Sequence, residues 1–411
     1  MAFLSVKYLP RGSQGHLLPK LQTLTWRGDY TTELPFIHFF ASPSLRTLRL
    51  GFYITSHAVS LLSTLDDHFP SLTCLYLPQA DSRDRADQYL TAISRAIESR
   101  SCQGLECFHA DMVDAPALRK LAHLPNLKEL TVRMLRNSSG IVSSNYNGFL
   151  NLKTLRVHHC QIDILVSFFR STQMPLESID LQVYHRDHEP DQLPQSPLGD
   201  LTSLIASQPC QSSLTKLEMR YFRDPDGSDR LDSALNITML RPLFVFSNLR
   251  LCHVDIEGIS ADFTFDLNDD ALVELAASWP HLETLIFRRR VGWQNTSTIT
   301  FNGLASLLRG CPLLKKLTLS MDATRLDYTS TGEGALNRRV KRLNLGDSII
   351  EEPVAVALIL ADLFGSLEQV DAWPVVRRHR RRYQPLWDEV NSIVKRKREE
   401  AAGSGGSQIN T

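Results

Sequence analysis

One short phrase, Leu-x-x-Leu-x-apolar, returns along nearly the whole chain, and a unit that recurs at a steady spacing restricts a fold more than any composition does. It stands as LQTLTW from Leu21, LRTLRL from Leu45, LTCLYL from Leu72, LECFHA from Leu105, LKELTV from Leu127, LKTLRV from Leu152 and LESIDL from Leu176. It continues as LTKLEM from Leu214, LRLCHV from Leu249, LETLIF from Leu282, LKKLTL from Leu314, VKRLNL from Val340 and, in its weakest form, LEQVDA from Leu367. Successive starts lie 22 to 38 residues apart, so the period is loose but is never lost. A Pro or small polar residue often precedes the phrase, as in FPSL, LPNL, WPHL and CPLL.

Within each unit the second Leu and the last apolar residue alternate inward on a short strand, while the first Leu packs at the strand's approach. One such unit cannot close a core. Stacked units can, because each covers the apolar side of its neighbour and strand pairs with strand along the array. Most of the spacings fall near the leucine-rich-repeat range of about 20–29 residues. The expected fold is therefore α/β: a leucine-rich-repeat solenoid, or horseshoe, of about 13 irregular strand-helix units over residues 17–375, with a parallel sheet on its concave face. The longer gaps imply inserted loops or longer helices.

The segments between strands carry helical signals. In Asp269–Trp279, Leu272, Leu275 and Ala276 share a face, an Asp is placed to cap the start, and Pro280 marks the stop. Phe301–Cys311 repeats the plan, with Asn302 as the expected cap and Gly310 as the exit. Further helices are expected over His57–His68, Arg85–Arg100, Ile162–Phe169, Leu198–Ser207 and Pro353–Phe364. Residues 1–16 form a lead-in or partial cap, 376–400 a basic helical segment, and 401–411, ending GSGGSQINT, a flexible tail.

The 45 Lys and Arg balance the 45 Asp and Glu, which removes the whole-chain charge by which a protein grips nucleic acid. Any charge argument has to be local. Seven cysteines, an odd number without a CxxC pair, fit reduced thiols in a cytoplasmic or nuclear setting better than a disulfide framework. Neither a secretory leader nor a run long enough to span a bilayer stands out, the best apolar run being Val354–Ala361, so no membrane association is expected. The sequons at Asn137, Asn236 and Asn295 are accordingly read as chance matches.

The phrases WPHLETLIF and RGCPLLKKLTLS resemble the degenerate leucine-rich repeats of F-box proteins, above all those of basidiomycete fungi, over about residues 17–375. That resemblance implies a substrate-recognition part of a ubiquitin ligase receptor, whose F-box would dock on the ligase adaptor. The chain departs from the pattern in two ways. Its first repeat begins by Leu21, which leaves no room upstream for an F-box, so an adaptor is an expected partner only where an F-box precedes these residues. The Asn or Cys of a regular repeat, eight positions after the first Leu, is Cys160 in one unit but Asp29, Tyr53, Arg290 and Asp322 in others. The alternative is a repeat-only scaffold or inhibitor without a ubiquitin link.

No nucleophile elbow, P-loop, HExxH or GxGxxG occurs, and no enzyme activity or cofactor is expected. An enzyme hidden in the insertions 181–214 or 291–301 would need a convergent polar cluster there, and none is visible. His158-His159-Cys160 and His185–His188 are the densest potential metal ligands, but neither has a second ligand pair at zinc-site spacing, so no metal is expected. Positions one, two, four and six after each first Leu should face solvent, and there Lys and Arg outnumber Asp and Glu. Arg46, Arg49, Arg133, Lys153, Arg156, His158, Arg220, Arg288, Lys315 and Lys316 are the candidate partner-binding residues. Rows of such residues suit a protein partner with an acidic or phosphorylated segment, although ordinary solvated positions, with long stems covering the sheet, look the same in sequence. Finally, Arg377, Arg378, Arg380, Arg381 and Arg382, followed after twelve residues by Lys395, Arg396, Lys397 and Arg398, resemble a bipartite nuclear-import signal.

Overall fold

The computed structural model describes residues 17–27, 31–51, 56–77, 86–98, 102–135, 148–185, 197–223, 234–257, 264–289, 293, 297–328, 335–373 and 380–404. The chain divides into two compact units, one up to Gly140 together with Gly148–Leu152, the other chiefly from Lys153 onward.

In the first unit five parallel strands are hydrogen-bonded in chain order: β1 (Thr23–Arg27), β2 (Thr47–Gly51), β3 (Cys74–Tyr76), β4 (Cys107–Val113) and β5 (Glu129–Leu135). Between them lie a 3-10 helix, Thr31–Phe40, and α1 (Ser56–Ser63), α2 (Leu65–His68), α3 (Ala86–Glu98) and α4 (Ala115–Ala122). The expected helix over His57–His68 is thus two pieces, broken at Thr64. Each strand begins at the third residue of a repeat phrase, and the fourth residue of the phrase enters a row across the sheet: Leu48, Leu75, Phe108 and Leu130 are registered neighbours and all essentially buried. The exception is β1, an edge strand, where Leu24 and Trp26 remain half-buried.

In the second unit the strands of the main sheet are β6 (Thr154–Gln161), β7 (Ser178–His185), β8 (Lys216–Arg223), β10 (Leu251–Glu257), β12 (Thr284–Arg289), β13 (Lys316–Thr318), β14 (Arg342–Asn344) and β15 (Gln369–Asp371), again parallel and in chain order. Two more strands, β9 (Ala234–Asn236) and β11 (Thr264–Asp266), form a small parallel ladder of their own, which fills the two long gaps after Leu214 and Leu249. The helices are α5 (Ile162–Arg170), α6 (Pro197–Ala206), α7 (Ile237–Leu240), α8 (Asp269–Ser278), α9 (Phe301–Gly310), α10 (Pro353–Leu363) and α11 (Arg380–Ser404). Across the sheet Leu155, Ile179, Leu217, Cys252, Leu285, Leu317, Leu343 and Val370 stand in one continuous register, none more than 2% exposed. Such a row is the physical core of a leucine-rich-repeat solenoid, because every residue in it is covered only by the repeats on either side.

The caps differ from their expected positions. Asn268, not an Asp, caps α8, its side chain accepting from Ala271 N at 2.9 Å. Asp269 instead reaches the next repeat, accepting from the Thr300 backbone N–H and hydroxyl, both at 2.7 Å. Thr300 in turn caps α9 in place of Asn302, accepting from Asn302 N. Gly310 closes α9 for a packing reason: a Cβ there would lie 2.6 Å from the Cβ of Ala276 on α8. The side-chain bonds between repeats also sit elsewhere than expected, on the residue just before the first Leu. Asn151 donates to Pro125 O at 2.7 Å, Ser213 to Leu176 O and Asn248 to Ser212 O, both at 2.8 Å.

At the end of the second unit α11 lies against α10 and β15. Trp387, Val390, Ile393 and Val394, spaced for one helical stripe, are buried. Asn391 stands in for a further strand: Val370 N donates to its Oδ1 at 2.7 Å and its Nδ2 donates to Val370 O at 2.8 Å. The indole N–H groups of Trp373 and Trp387 both donate to Ser348 O, at 2.9 and 3.1 Å. Helix α11, Arg380–Ser404, is therefore a folded cap on the sheet's edge, of the kind a terminal repeat needs.

Candidate partner-binding face

Strand alternation turns one side of each sheet to solvent, and register decides which side chains there meet. In the first unit Arg49, Tyr76 and His109 are registered neighbours. The Arg49 guanidinium lies 4.2 Å from the Tyr76 ring centroid, Tyr76 stacks on His109 at 4.0 Å, and His109 Nε2 approaches Glu129 at 3.6 Å. Burial raises the Tyr76 pKa, against the opposing pull of Arg49. Beside them Cys74 and Cys107, the two half-buried thiols among seven free ones, face each other across β3 and β4, and burial pushes Cys107 up to about 12.

In the second unit Arg156, Asp180, Glu218 and His253 occupy one row, and Gln182, Arg220, Asp255 and Arg288 the next. Across these rows runs a chain of ion pairs. Lys216 Nζ lies 2.7 Å from Glu218 Oε1, and Glu218 Oε2 lies 3.4 Å from His253 Nδ1. His253 Nε2 lies 3.7 Å from Asp255 Oδ2, which also accepts from the Arg288 guanidinium. Asp255 is fully buried, and its Oδ1 has no hydrogen-bond partner. The His253 contact is the main reason the Glu218 pKa falls to about 2, with Lys216 assisting against burial. Burial works against the His253 imidazolium, but Asp255 and Glu218 outweigh it and raise its pKa. Burial likewise opposes the Asp255 carboxylate, yet His253 and Arg288 hold its pKa below the ordinary value.

The ten candidate residues are distributed over both units rather than gathered in one. Arg133 pairs with Asp111 at 3.2 Å, Lys153 with Glu177 at 2.6 Å, His158 with Asp180 at 3.4 Å, and Lys315 with Glu283 at 2.5 Å. Arg220 lies 3.8 Å from Glu218, and Arg288 is held by Asp255. Arg156 is half-buried in the row of Asp180, while Arg46 and Lys316 are exposed at strand starts. The residues the sequence did not single out are the acids, Asp180, Glu218 and Asp255, with His253 between two of them. All four fall at positions four or six of their units, where alternation already pointed outward.

His158 and His159 sit in a bulge of β6, where the register to β7 shifts and His159 takes a φ of 50°. Cys160, at the Asn or Cys position of a regular repeat, is a buried strand residue beside Val183. Among the described residues no group of three or more His, Cys, Asp or Glu is arranged to hold a metal ion, and no helix is long and apolar enough to cross a membrane. His185 ends β7, and residues 186–188 lie outside the described residues, as do Arg377 and Arg378. Arg380 and Arg381 begin α11, Arg382 is exposed beside Tyr383, and Lys395–Arg398 are exposed on α11.

No protein-family model and no curated protein matches the chain. Among solved structures it is similar to an internalin of Listeria monocytogenes, at 14% identity over 83% of each chain, with a TM-score of 0.35.

Proposed function

We propose that this protein is a non-enzymatic interaction module that holds a partner polypeptide against the strand face of its second unit. The observation that supports this is the pre-formed network Lys216–Glu218–His253–Asp255–Arg288. It fixes side-chain geometry over three adjacent repeats before any partner arrives, which lowers the ordering cost of binding. A photo-crosslinking residue at Gln182 or Thr284 tests the reading, with Val273 on α8 and Leu358 on α10, both exposed, as controls. Crosslinks to a discrete partner from the strand positions but not from the helix positions are expected. Crosslinks confined to the helix positions would refute it.

The repeat phrases' resemblance to F-box proteins supports a finer form, the substrate-recognition part of a ubiquitin ligase receptor acting in the cytoplasm, the nucleus or both. Co-purification of the ligase adaptor with the full gene product tests that form. Partner capture without adaptor favours the repeat-only scaffold or inhibitor. The two basic clusters at 377–382 and 395–398 carry the nuclear part of the reading, and a fusion lacking both that still enters nuclei would remove it.

A further inference from the structure

The basic side chains of the strand face are largely neutralised, but one region keeps its charge. At the starts of β13 and β14, Lys316 and Arg342 each immediately precede the registered pair Leu317 and Leu343, so they stand on adjacent strands about 4.8 Å apart. Both are exposed, and neither has an ion-pair partner among the described residues. Arg338 and Arg339, in the approach to β14, are exposed and form no ion pair within 4 Å among the described residues, although Arg339 lies near enough to Glu283 to lower its pKa. Lys341 reaches Glu368 Oε1 at 3.5 Å, and Arg398 of α11 reaches the same oxygen at 3.4 Å, which places the basic turn Lys395–Arg398 beside these strand starts. Among the described residues Glu283 and Glu368 lie beside this group, and each already meets two cations, Arg250 and Lys315 at Glu283, Lys341 and Arg398 at Glu368.

Like charges directly across a strand pair destabilise a sheet. A fold that retains Lys316 beside Arg342, with Arg338 and Arg339 a few residues before the strand, carries a local conflict of the kind expected at functional positions. We propose that the β13–β14 strand starts and the C-terminal half of α11 form an anion-docking surface for an acidic or phosphorylated segment of the partner polypeptide. The inference rests on the interaction-module reading and relocates its charge recognition from the centre of the strand face, where cations are paired, to this rim. Lys316, Arg338, Arg339 and Arg342, exposed and without an ion pair within 4 Å among the described residues, suit carboxylates or phosphates, which arginine grips with two parallel hydrogen bonds. A single-stranded nucleic acid is disfavoured, because surfaces that hold one interleave cations with exposed aromatic rings for base stacking. Among the described residues these cations have no exposed aromatic side chain between them. The zero net charge of the whole chain also denies it the long-range pull of a nucleic-acid-binding domain.

The test is fluorescence anisotropy on the full chain with three probes: a labelled twelve-residue peptide alternating Ser and Glu, the same peptide phosphorylated on each Ser, and a Gln-for-Glu control. Binding is expected for the first two, tighter for the phosphorylated one, weakening as salt rises, and absent for the control. R338E/R339E/R342E should weaken it at least tenfold, as should K395E/K397E/R398E, whereas R220Q on the central face should not. A melting temperature for R342E equal to or above that of the wild type would show that the lost binding is not lost folding, since the substitution removes a repulsion. Unchanged peptide binding in both triple variants, no binding of either acidic peptide, or tighter binding of a 20-nucleotide single-stranded DNA would each overturn the proposal. The crosslinks from Gln182 and Thr284 are read independently, so this inference can fail while the strand-face reading stands.

Discussion

Replacing Trp387 by Ala should release α11 from the end of the sheet while leaving the rest of the stack folded. The indole is fully buried, and truncating a buried Trp costs about 3–5 kcal/mol in transfer and cavity terms. Its lost hydrogen bond adds little, because Ser348 O keeps the Trp373 N–H at 2.9 Å and is not left orphaned. In a stack where each repeat touches only its neighbours, that cost falls on the terminal interface and not on the whole chain. A local opening easier by about 3 kcal/mol corresponds to roughly a hundredfold faster amide exchange. Hydrogen exchange read by mass spectrometry should therefore show that acceleration in α11 and β15 and none in β6–β8. Asn391→Ala is the gentler companion: it strips both hydrogen bonds from Val370, about 1–2 kcal/mol with water as partial substitute, and its effect should be confined to β15. Unchanged exchange in α11 on Trp387→Ala would mean that the helix is not a cap. Uniform acceleration through β6–β8 would mean that the stack unfolds as one body and that the nearest-neighbour argument is wrong.

Three further outcomes follow from the repeats themselves. Gly310→Ala should destabilise by about 1–3 kcal/mol in urea unfolding, because its new Cβ meets Ala276 at 2.6 Å, and Ala276→Gly in the same chain should restore much of the loss. Asp269→Ala should cost about 1–3 kcal/mol by removing both acceptors of Thr300, and a stability within error of wild type would show that the bridge is idle. The ionic cluster gives a pH signature. The Glu218 pKa is lowered from 4.5 to about 2, so its contribution, of order 3 kcal/mol at most, is complete above about 4.5 and fades as pH falls towards 2. His253 is raised, so its contribution is complete below about 6.5 and fades as pH rises through its folded value. The cluster should thus stabilise most between about pH 4.5 and 6.5; Glu218→Gln should flatten the acid side of the stability profile and His253→Gln the alkaline side, with circular dichroism melts as the readout.

The repeat was legible because its signal is local and redundant: each second Leu answers to the same burial requirement, and the row from Leu155 to Val370 meets that requirement eight times. The caps were less so. Asn268 and Asp269 are both competent to cap a helix, and what separates them is Thr300 in the following repeat, whose N–H and hydroxyl claim the Asp. Nothing within the segment records that claim. The capping role of the basic helical segment was hidden because seven basic residues dominate the average of Arg380–Arg398, although Trp387, Val390, Ile393 and Val394 already trace a buried stripe at helical spacing. The strand face teaches the same point about charge. Position counting finds Arg220 and Arg288 on the surface, but whether they are free depends on the acids around them: Asp255 registers across from both, and Glu218 stands two residues before Arg220 on the same strand. A cation count over stacked strands therefore overstates what a partner can use. The usable charge is what remains where the rows fail to close, and in the second unit that is where Lys316 and Arg342 stand side by side with no acid between them.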